Sequence, residues 1–249
     1  MLKRLLPSLR KRTARLFWAA GRGIVSRDGV LYLINATSSN HYDKHILQRG
    51  TRNQEPQQRA FLLKNLLERR CDTFIDIGAN YGLYALSVAL HTGCGTIIAF
   101  EPGRRSFAQL LGNIVVNDLA ERITVHNLAI SNCNGAVPFT YGIGGDGDFT
   151  ARVGDGSGAD TVRAVRLDDA LPLAGRRVAL KIDIEGHELS ALEGMKGLLR
   201  NNDCFLQVES WPQNAQAFIA AMCAEDYQLV HQIESDHYFA PKRVGGSAR

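Results

Sequence analysis

The chain has 249 residues, 45% of them hydrophobic, which is enough for one α/β domain with a buried core. Apolar runs fall short of the roughly 18 residues that span a bilayer, so we predict no membrane-spanning helix. The net charge is +4, yet eight basic residues and no acidic one precede Asp28, which leaves the rest of the chain at −4. A core of this kind lacks the basic face expected of a nucleic-acid-binding protein.

The first 42 residues are predicted to form a basic arm that ends in a short strand or hairpin at "VLYLI", residues 30–34. Apolar residues recur in the arm at near-helical spacing: Leu9, Leu16, Phe17, Ala20 and Ile24. A basic amphipathic helix suits the surface of an anionic membrane, so peripheral contact with the inner membrane face is one interpretation. A partly disordered basic tail is the other. Basic residues break up every secretory-type apolar stretch, and the five cysteines show no C-x-x-C spacing, so we predict a reduced, cytoplasmic protein.

From residue 43 to residue 249, strand and helix patterns alternate as in a single α/β domain. Pro56 opens the first predicted helix. The predicted strands are 73–77, 96–100, 123–128, 178–184, 204–210, 227–233 and 238–241, with one continuous helix at 188–199. Two further strands, 136–141 and 161–167, flank a glycine-rich loop at 142–160, which is either a substrate lid or a mobile excursion. This alternation predicts a Rossmann-like, mostly parallel sheet with helices on both faces.

Polar residues follow four of the predicted strands. They are Asp76 to Gly82, Glu101, Asp183 to Glu188, and Glu209. In an open α/β sheet, ligands bind outside the carboxyl ends of the strands. We therefore expect these four groups to meet at one edge of the sheet and to form the functional site.

The turn "FIDIGANYG", residues 74–82, indicates the ligand. Dinucleotide sites use G-x-G-x-x-G to bring a pyrophosphate against a helix N-terminus. Here the spacing is D-x-G-x-N-x-G, and a carboxylate at the strand end would repel a pyrophosphate but attract an ammonium group. S-adenosylmethionine carries an ammonium and a sulfonium and no phosphate. Glu101 follows Gly78 by 23 residues, where a carboxylate can accept both ribose hydroxyls.

Several segments together resemble the FkbM family of S-adenosylmethionine-dependent methyltransferases. They are "FIDIGANYGLYALSVA", "IIAFEP", "ITVHNLAIS", "VRAVRLDDAL" and "VALKIDIEGHELSALEGM", and the resemblance covers roughly residues 43–210. It implies a class I methyltransferase fold, with a seven-stranded sheet whose last strand is antiparallel. It also implies methyl transfer to a hydroxyl oxygen of a small molecule, such as a sugar, a glycan or a natural product.

The resemblance assigns the cofactor-binding residues in three groups. The turn residues Asp76, Gly78, Asn80 and Gly82 would line the methionine part of S-adenosylmethionine. Glu101 would hold the ribose. The stretch from Asn127 to Ala129 would contact the adenine.

The catalytic chemistry is predicted to concentrate in "LKIDIEGHE". A hydroxyl acceptor must lose its proton, and Asp183 ends the strand nearest the methyl group, so we rank it first as general base or metal ligand. His187 ranks second as base, and Glu185 and Glu209 are predicted to orient the acceptor. A Mg²⁺ ion is an open alternative, bound by Asp183 and Glu209 with help from Glu185, although we favour a metal-free site.

Two other functions compete with small-molecule O-methylation. One is methylation of nucleic acid or protein on the same fold, but the sequence has no N-P-P-Y-type element for exocyclic amines and no paired catalytic cysteines. The other is a non-catalytic nucleotide-binding or membrane-adaptor protein, which should have lost some of the strand-end acids, and none is missing. Nucleic acid is therefore not expected as a partner.

Overall fold

The structure is a computed structural model that describes residues 22–27, 29–35, 43, 46, 54–141, 152–154 and 160–242. Most of the predicted arm and most of the loop at 142–160 lie outside these residues, so the arm helix, its membrane contact and the lid stay predictions. Ile24 is described, and it lies in a strand rather than in the predicted helix. Within the described part of the chain, no helix is long and apolar enough to cross a membrane.

Twenty elements make up the described structure. The first ten are β1 (Arg22–Arg27), β2 (Val30–Asn35), α1 (Pro56–Glu68), β3 (Thr73–Ile77), α2 (Leu83–His91), β4 (Thr96–Phe100), α3 (Arg104–Val116), β5 (Ile123–His126), β6 (Ala129–Ile130) and β7 (Gly135–Thr140). The others are β8 (Arg152–Val153), β9 (Asp160–Val165), α4 (Leu167–Ala170), β10 (Arg177–Ile182), α5 (Glu188–Glu193), α6 (Lys196–Asn201), β11 (Asp203–Glu209), α7 (Pro212–Ala224), β12 (Tyr227–Ile233) and β13 (Asp236–Pro241).

The main sheet has seven strands in the order β12-β13-β11-β10-β3-β4-β5. Neighbours from β11 to β5 pair in parallel, whereas β13 pairs antiparallel with both β11 and β12. The chain order reverses at β3 and β10, so their carboxyl ends lie at the switch point where open α/β sheets bind ligands. The prediction of a class I methyltransferase fold with an antiparallel last strand is confirmed.

Apolar residues cover both faces of this sheet. Phe74 and Ala179 face a core built with α1, α2 and α3, while Ile75, Ile77 and Leu180 face a second core built with α5, α6 and α7. All five residues of β3 are buried, as expected of a central parallel strand. Each fully buried Phe, Ile or Leu side chain contributes about 1.5–3 kcal/mol, so these two cores hold the strand ends rigidly in place.

A separate four-stranded sheet, in the order β6-β9-β7-β8, lies outside the main sheet. It contains the strands predicted at 136–141 and 161–167 as β7 and β9. The strand predicted at 123–128 ends earlier, at His126, and Ala129–Ile130 joins the second sheet by pairing with β9.

The β1–β2 hairpin is fastened to α3 by two asparagine side chains. Asn113 accepts a hydrogen bond from the Leu33 amide at 2.7 Å and donates to the Tyr81 carbonyl at 2.8 Å. Asn117 accepts from the Leu31 amide at 2.9 Å and donates to the Leu31 carbonyl at 2.7 Å. The two asparagine side chains thus bond backbone groups of β2 that a neighbouring strand would otherwise bond. Tyr32, between these two bonded residues of β2, is fully buried in the core. The division of the chain at residue 42 stays a prediction.

The prediction of a single helix at 188–199 is wrong, because the structure has two helices there, α5 and α6. Gly194 lies so close to another segment that a Cβ there would be 1.9 Å from the Ser131 carbonyl oxygen. The Asp168 carboxylate then accepts the amides of Gly197 and Leu198, at 3.0 and 2.7 Å, in the first turn of α6. A contact and a cap from distant parts of the chain therefore decide where these helices end and begin.

Candidate active site

Gly78 lets the loops after β3 and β10 lie against each other. Its φ of +82° belongs to the left-handed region, and a Cβ at this position would lie 1.9 Å from the Asp183 carbonyl oxygen. The Asp183 amide in turn donates to the Ile77 carbonyl at 3.0 Å. Glycine is required here by both conformation and space, and it fixes Asp183 beside the end of β3.

We expect Gly78→Ala to destabilise the protein by at least about 2 kcal/mol, since it adds backbone strain and a steric overlap. Gly93→Ala is the matched control, because a Cβ at Gly93 would have nothing within 4 Å. Urea unfolding of the two variants measures the difference. Equal stabilities would show that the loop after β10 can move away from residue 78 at little cost.

Glu101, the residue predicted to bind ribose, is oriented by backbone amides on both sides. Its two carboxylate oxygens accept the Asn80 amide at 2.8 Å and the Gly103 amide at 2.7 Å. The side chain is buried, and it lines a cleft at the carboxyl edge of the main sheet. These two bonds hold the Glu101 carboxylate in one orientation at the wall of this cleft.

We call this cleft the first cleft. Its walls come from the ends of β3, β4 and β10, from the segment after β5, and from the second sheet. The lining includes Ile77, Gly78, Phe100, Glu101, Pro102, Leu128, Ala129, Ile130, Phe139, Arg152, Val153, Asp183, Ile184 and His187. The structure therefore brings together five of the predicted site residues in one cleft: Gly78, Glu101, Ala129, Asp183 and His187.

Four other predicted cofactor residues support the cleft without lining it. Asp76 accepts the Ala85 amide at 2.9 Å in the first turn of α2, and burial raises its pKa to about 7. Asn80 has a φ of +51° and contributes its amide to Glu101. Gly82 precedes α2 with a φ of +98°. Asn127 donates to the carbonyls of Glu101 and Pro102, at 2.8 and 2.9 Å. Their direct contact with the cofactor stays a prediction.

A buried lysine lies behind the strand ends. The Lys181 side chain is 2% exposed, and its ammonium group is 3.0 Å from Asp236 Oδ1. A carboxylate oxygen of Glu209 lies 3.7 Å from the ammonium nitrogen, one of Asp183 lies at 3.8 Å and one of Glu55 at 4.0 Å. These three side chains are between 27% and 34% exposed. One cation therefore faces four carboxylates, three of which reach partly into solvent.

The charges of this cluster set the protonation of its members. Burial alone lowers the pKa of Lys181, but the surrounding carboxylates and Tyr84 outweigh it and hold the pKa well above its usual range. Burial raises the pKa of Asp183 well above its usual range; Lys181 opposes the rise, and neighbouring carboxylates reinforce it. Asp183 is therefore a stronger base than an exposed aspartate.

His187, the second predicted base, directly precedes α5 and lines the first cleft. Its Nε2 is 2.9 Å from Ser131 Oγ, and burial lowers the pKa of the imidazole, which favours the neutral form. One ring nitrogen is thus already engaged by a hydroxyl. Asp183 remains the better candidate for taking a proton from an acceptor.

Neither of the two residues predicted to orient the acceptor lines the first cleft. Glu185 adopts a φ of +53° and accepts a hydrogen bond from Trp211 Nε1 at 3.0 Å. Glu209 accepts a hydrogen bond from Ser235 Oγ at 3.1 Å beside Lys181. Their contact with an acceptor stays a prediction.

Lys181 and its neighbours Tyr84, Gln207 and Asp236 were not among the site residues predicted from the sequence. Tyr84 donates to Glu55 Oε2 at 2.5 Å and accepts from Gln207 Nε2 at 2.8 Å, and Gln207 also donates to Asp236 at 2.7 Å. The signal that could have indicated this polar network is a lysine within the otherwise apolar strand "VALKI". Its partners come from four distant segments, which a pattern along the chain does not join.

Metal binding receives no support from the arrangement of the acids. Among the described residues, no group of three or more His, Cys, Asp or Glu side chains is placed to hold a metal ion. Asp183 and Glu209 instead share the Lys181 ammonium.

The chemistry of the first cleft fits S-adenosylmethionine. The apolar side chains of Phe100, Leu128 and Ile130 offer walls for a flat purine ring, with the Glu101 carboxylate beside them for ribose hydroxyls. Asp183 lines the same cleft, and its carboxylate suits a ligand with an ammonium and a sulfonium group.

Comparison with known proteins gives the same family as the sequence motifs. Residues 76–233 match the model of the methyltransferase FkbM domain. The protein "Methyltransferase sdnD" of Sordaria araneosa is 28% identical, over 55% of this chain and 65% of that protein, so this chain spans about two thirds of its length.

Solved structures of other methyltransferases are more distant. The precorrin-6y C5,15-methyltransferase of Geobacter metallireducens has a TM-score of 0.44 at 14% identity and covers 74% of this chain and 84% of its own. TYW2 of M. jannaschii, solved with AdoMet, has a TM-score of 0.42 at 11% identity and covers 89% and 87%. These likenesses carry no conclusion about the substrate of this chain. The family model alone covers more than half of the 249 residues, and the chain therefore belongs to the FkbM methyltransferase family.

Proposed function

We propose that this protein transfers a methyl group from S-adenosylmethionine to a hydroxyl oxygen of a small molecule such as a sugar, a glycan or a natural product. The observation that carries the proposal is the first cleft itself. It joins an apolar slot beside Glu101 to the carboxylate of Asp183 at the switch point of the sheet.

Glu101 and Asp183 have separate roles in this proposal. Glu101 binds the ribose hydroxyls with a carboxylate that two backbone amides already orient. Bound S-adenosylmethionine supplies an electrophilic methyl carbon on a positive sulfur, so the protein mainly has to position the acceptor oxygen and remove its proton. Asp183 takes that proton, helped by a pKa that its burial raises.

Cofactor binding is tested with one substitution at Glu101. We expect the wild-type protein to bind S-adenosylhomocysteine and not NAD in calorimetry. Glu101→Gln should weaken S-adenosylhomocysteine binding at least tenfold, about 1.4 kcal/mol, because the charge that accepts the ribose hydroxyls is lost.

Glu121→Gln is the control, since Glu121 is exposed and lies in the turn before β5. Unchanged affinity in Glu101→Gln would remove Glu101 from the binding site. NAD binding would contradict the choice of cofactor.

The transfer reaction is tested by incubating the protein with S-adenosylmethionine labelled in its methyl group. We expect label in small-molecule and glycan fractions and none in RNA or protein fractions. Label in RNA or protein alone would contradict the proposed acceptor class and leave the methyltransferase assignment intact.

A further inference from the structure

A second cleft adjoins the first one and shares two residues with it. Arg152 and Val153 of β8 line both clefts. The rest of the second cleft is formed by Thr140 of β7, by Gly154 after β8, by Glu185 and Gly186 after β10, and by Trp211, Gln213 and Asn214 after β11. A molecule in the second cleft would therefore lie next to the first cleft, which Asp183 lines, and near the carboxyl ends of β10 and β11.

Side chains in the second cleft hold donors that the described residues leave unused. Thr140, Gln213 and Asn214 have no side-chain hydrogen bond to another described residue. The carboxylate in this lining, Glu185, already accepts from Trp211 Nε1 at 3.0 Å. The hydroxyl and amide groups of Thr140, Gln213 and Asn214 donate as well as accept hydrogen bonds, so the lining suits a polar ligand that carries acceptor oxygens.

Arg152 brings a positive charge to the second cleft. The Glu185 carboxylate of the same lining attracts this charge, although the two groups are not within ion-pair distance. The guanidinium carbon of Arg152 lies 5.4 Å from the centroid of the Trp211 ring, and Arg152 forms no ion pair with any described residue. A guanidinium over the face of an indole ring is attracted by the ring, and its N–H groups remain able to donate hydrogen bonds. Such a guanidinium can bind a carboxylate or a phosphate through two parallel hydrogen bonds.

We propose that the second cleft binds the methyl acceptor, and that Arg152, which lies over the Trp211 ring, selects an acceptor that carries a carboxylate or a phosphate group. This inference rests on the proposed methyl transfer, because it treats the first cleft as the cofactor site. The bound anion and the hydroxyl to be methylated would occupy opposite ends of one molecule, with the hydroxyl near Asp183. Neutral acceptors of the same shape would lack the contact with Arg152.

The test uses Trp211 as a reporter of binding. The chain has two tryptophans, so Trp18→Phe leaves Trp211 as the one that fluoresces. This protein is saturated with S-adenosylhomocysteine and titrated at constant ionic strength with glucuronate, glucose 6-phosphate and neutral glucose. We expect a saturable change in fluorescence with at least one of the charged sugars, at a Kd at least tenfold lower than that for glucose.

Two arginine variants of the reporter protein show which charge is responsible. Arg152→Gln should weaken binding of the charged sugar at least tenfold and leave glucose unaffected. Arg163→Gln is the matched control, because Arg163 is exposed on β9 of the same small sheet and lines neither cleft. It should keep the wild-type Kd.

Each outcome decides the inference. Binding of glucuronate alone identifies a carboxylate, and binding of glucose 6-phosphate alone identifies a phosphate. Equal affinity for all three sugars, no change with any of them, or an unchanged Kd in Arg152→Gln would overturn it. Calorimetry with S-adenosylhomocysteine keeps this result separate from the proposed function. If S-adenosylhomocysteine binds and the sugars fail, only the acceptor assignment is wrong; if S-adenosylhomocysteine itself does not bind, the proposed function is wrong.

Discussion

Asp183→Asn should lower turnover at least about 100-fold while S-adenosylhomocysteine binds with near wild-type affinity. The amide has the shape of the carboxylate, but it cannot take a proton from the acceptor hydroxyl. Wild-type turnover should also rise with pH through the raised pKa of Asp183, because only the ionised carboxylate acts as a base. Single-turnover rates and calorimetry across pH measure both effects.

Asp169→Asn is the control for this loss of turnover. Its side chain is 51% exposed on α4, and it lies outside both clefts. This variant should keep the wild-type rate and the wild-type pH profile. If Asp183→Asn keeps its turnover, or keeps the dependence on pH, the proton goes to another group and β10 does not supply the base.

Lys181→Met should destabilise the protein by about 3–5 kcal/mol, the range observed when one partner of a buried ion pair is removed. The substitution leaves Asp236 buried without its cation, 3.0 Å from where the ammonium was. Glu209, Asp183 and Glu55 would also lose the positive charge that they share. Chemical unfolding followed by far-UV circular dichroism measures the loss.

Two further variants test whether the loss of stability comes from the uncompensated charge of buried Asp236 or from replacing any lysine by methionine. Lys64→Met makes the same change in an exposed pair with Glu68 on α1, and it should unfold at the wild-type midpoint. The double variant Lys181→Met with Asp236→Asn should recover part of the lost stability, because the stranded carboxylate becomes neutral. A double variant no more stable than Lys181→Met would show that Asp236 is not the group left uncompensated.

The sequence predicted the site residues that follow strands more reliably than it predicted what each side chain contacts. Gly78, Glu101 and Asp183 each come directly after a buried apolar strand, and the structure places all three in the first cleft. Asp76 was predicted from the same turn. It does not line the first cleft, and one of its carboxylate oxygens accepts the Ala85 amide in α2, while its contact with the cofactor stays a prediction. A position at a strand end can be inferred from the pattern of apolar residues, whereas the direction of a single side chain depends on the atoms packed around it.

Elements that depend on distant contacts could not be inferred from local patterns. The helix predicted at 188–199 is broken at Gly194 by the approach of the Ser131 carbonyl, 63 positions earlier in the chain. The hairpin is held against α3 by Asn113 and Asn117, which look like ordinary polar residues near a helix end. Local propensity is a weak preference in both cases, and tertiary contacts override it.

The sequence by itself determined the fold class, the order of the strands along the chain and the edge at which the site forms. It could do so because burial imposes a repeating apolar pattern on strands and helices, and because parallel strands end at a common edge. Only the tertiary structure decided that Lys181 gathers Glu55, Asp183, Glu209 and Asp236, and that Arg152 lies over Trp211 between two clefts. These residues are brought together by the packing of separate segments, and an electrostatic interaction depends on the distance between charges in space, which their separation along the chain does not give.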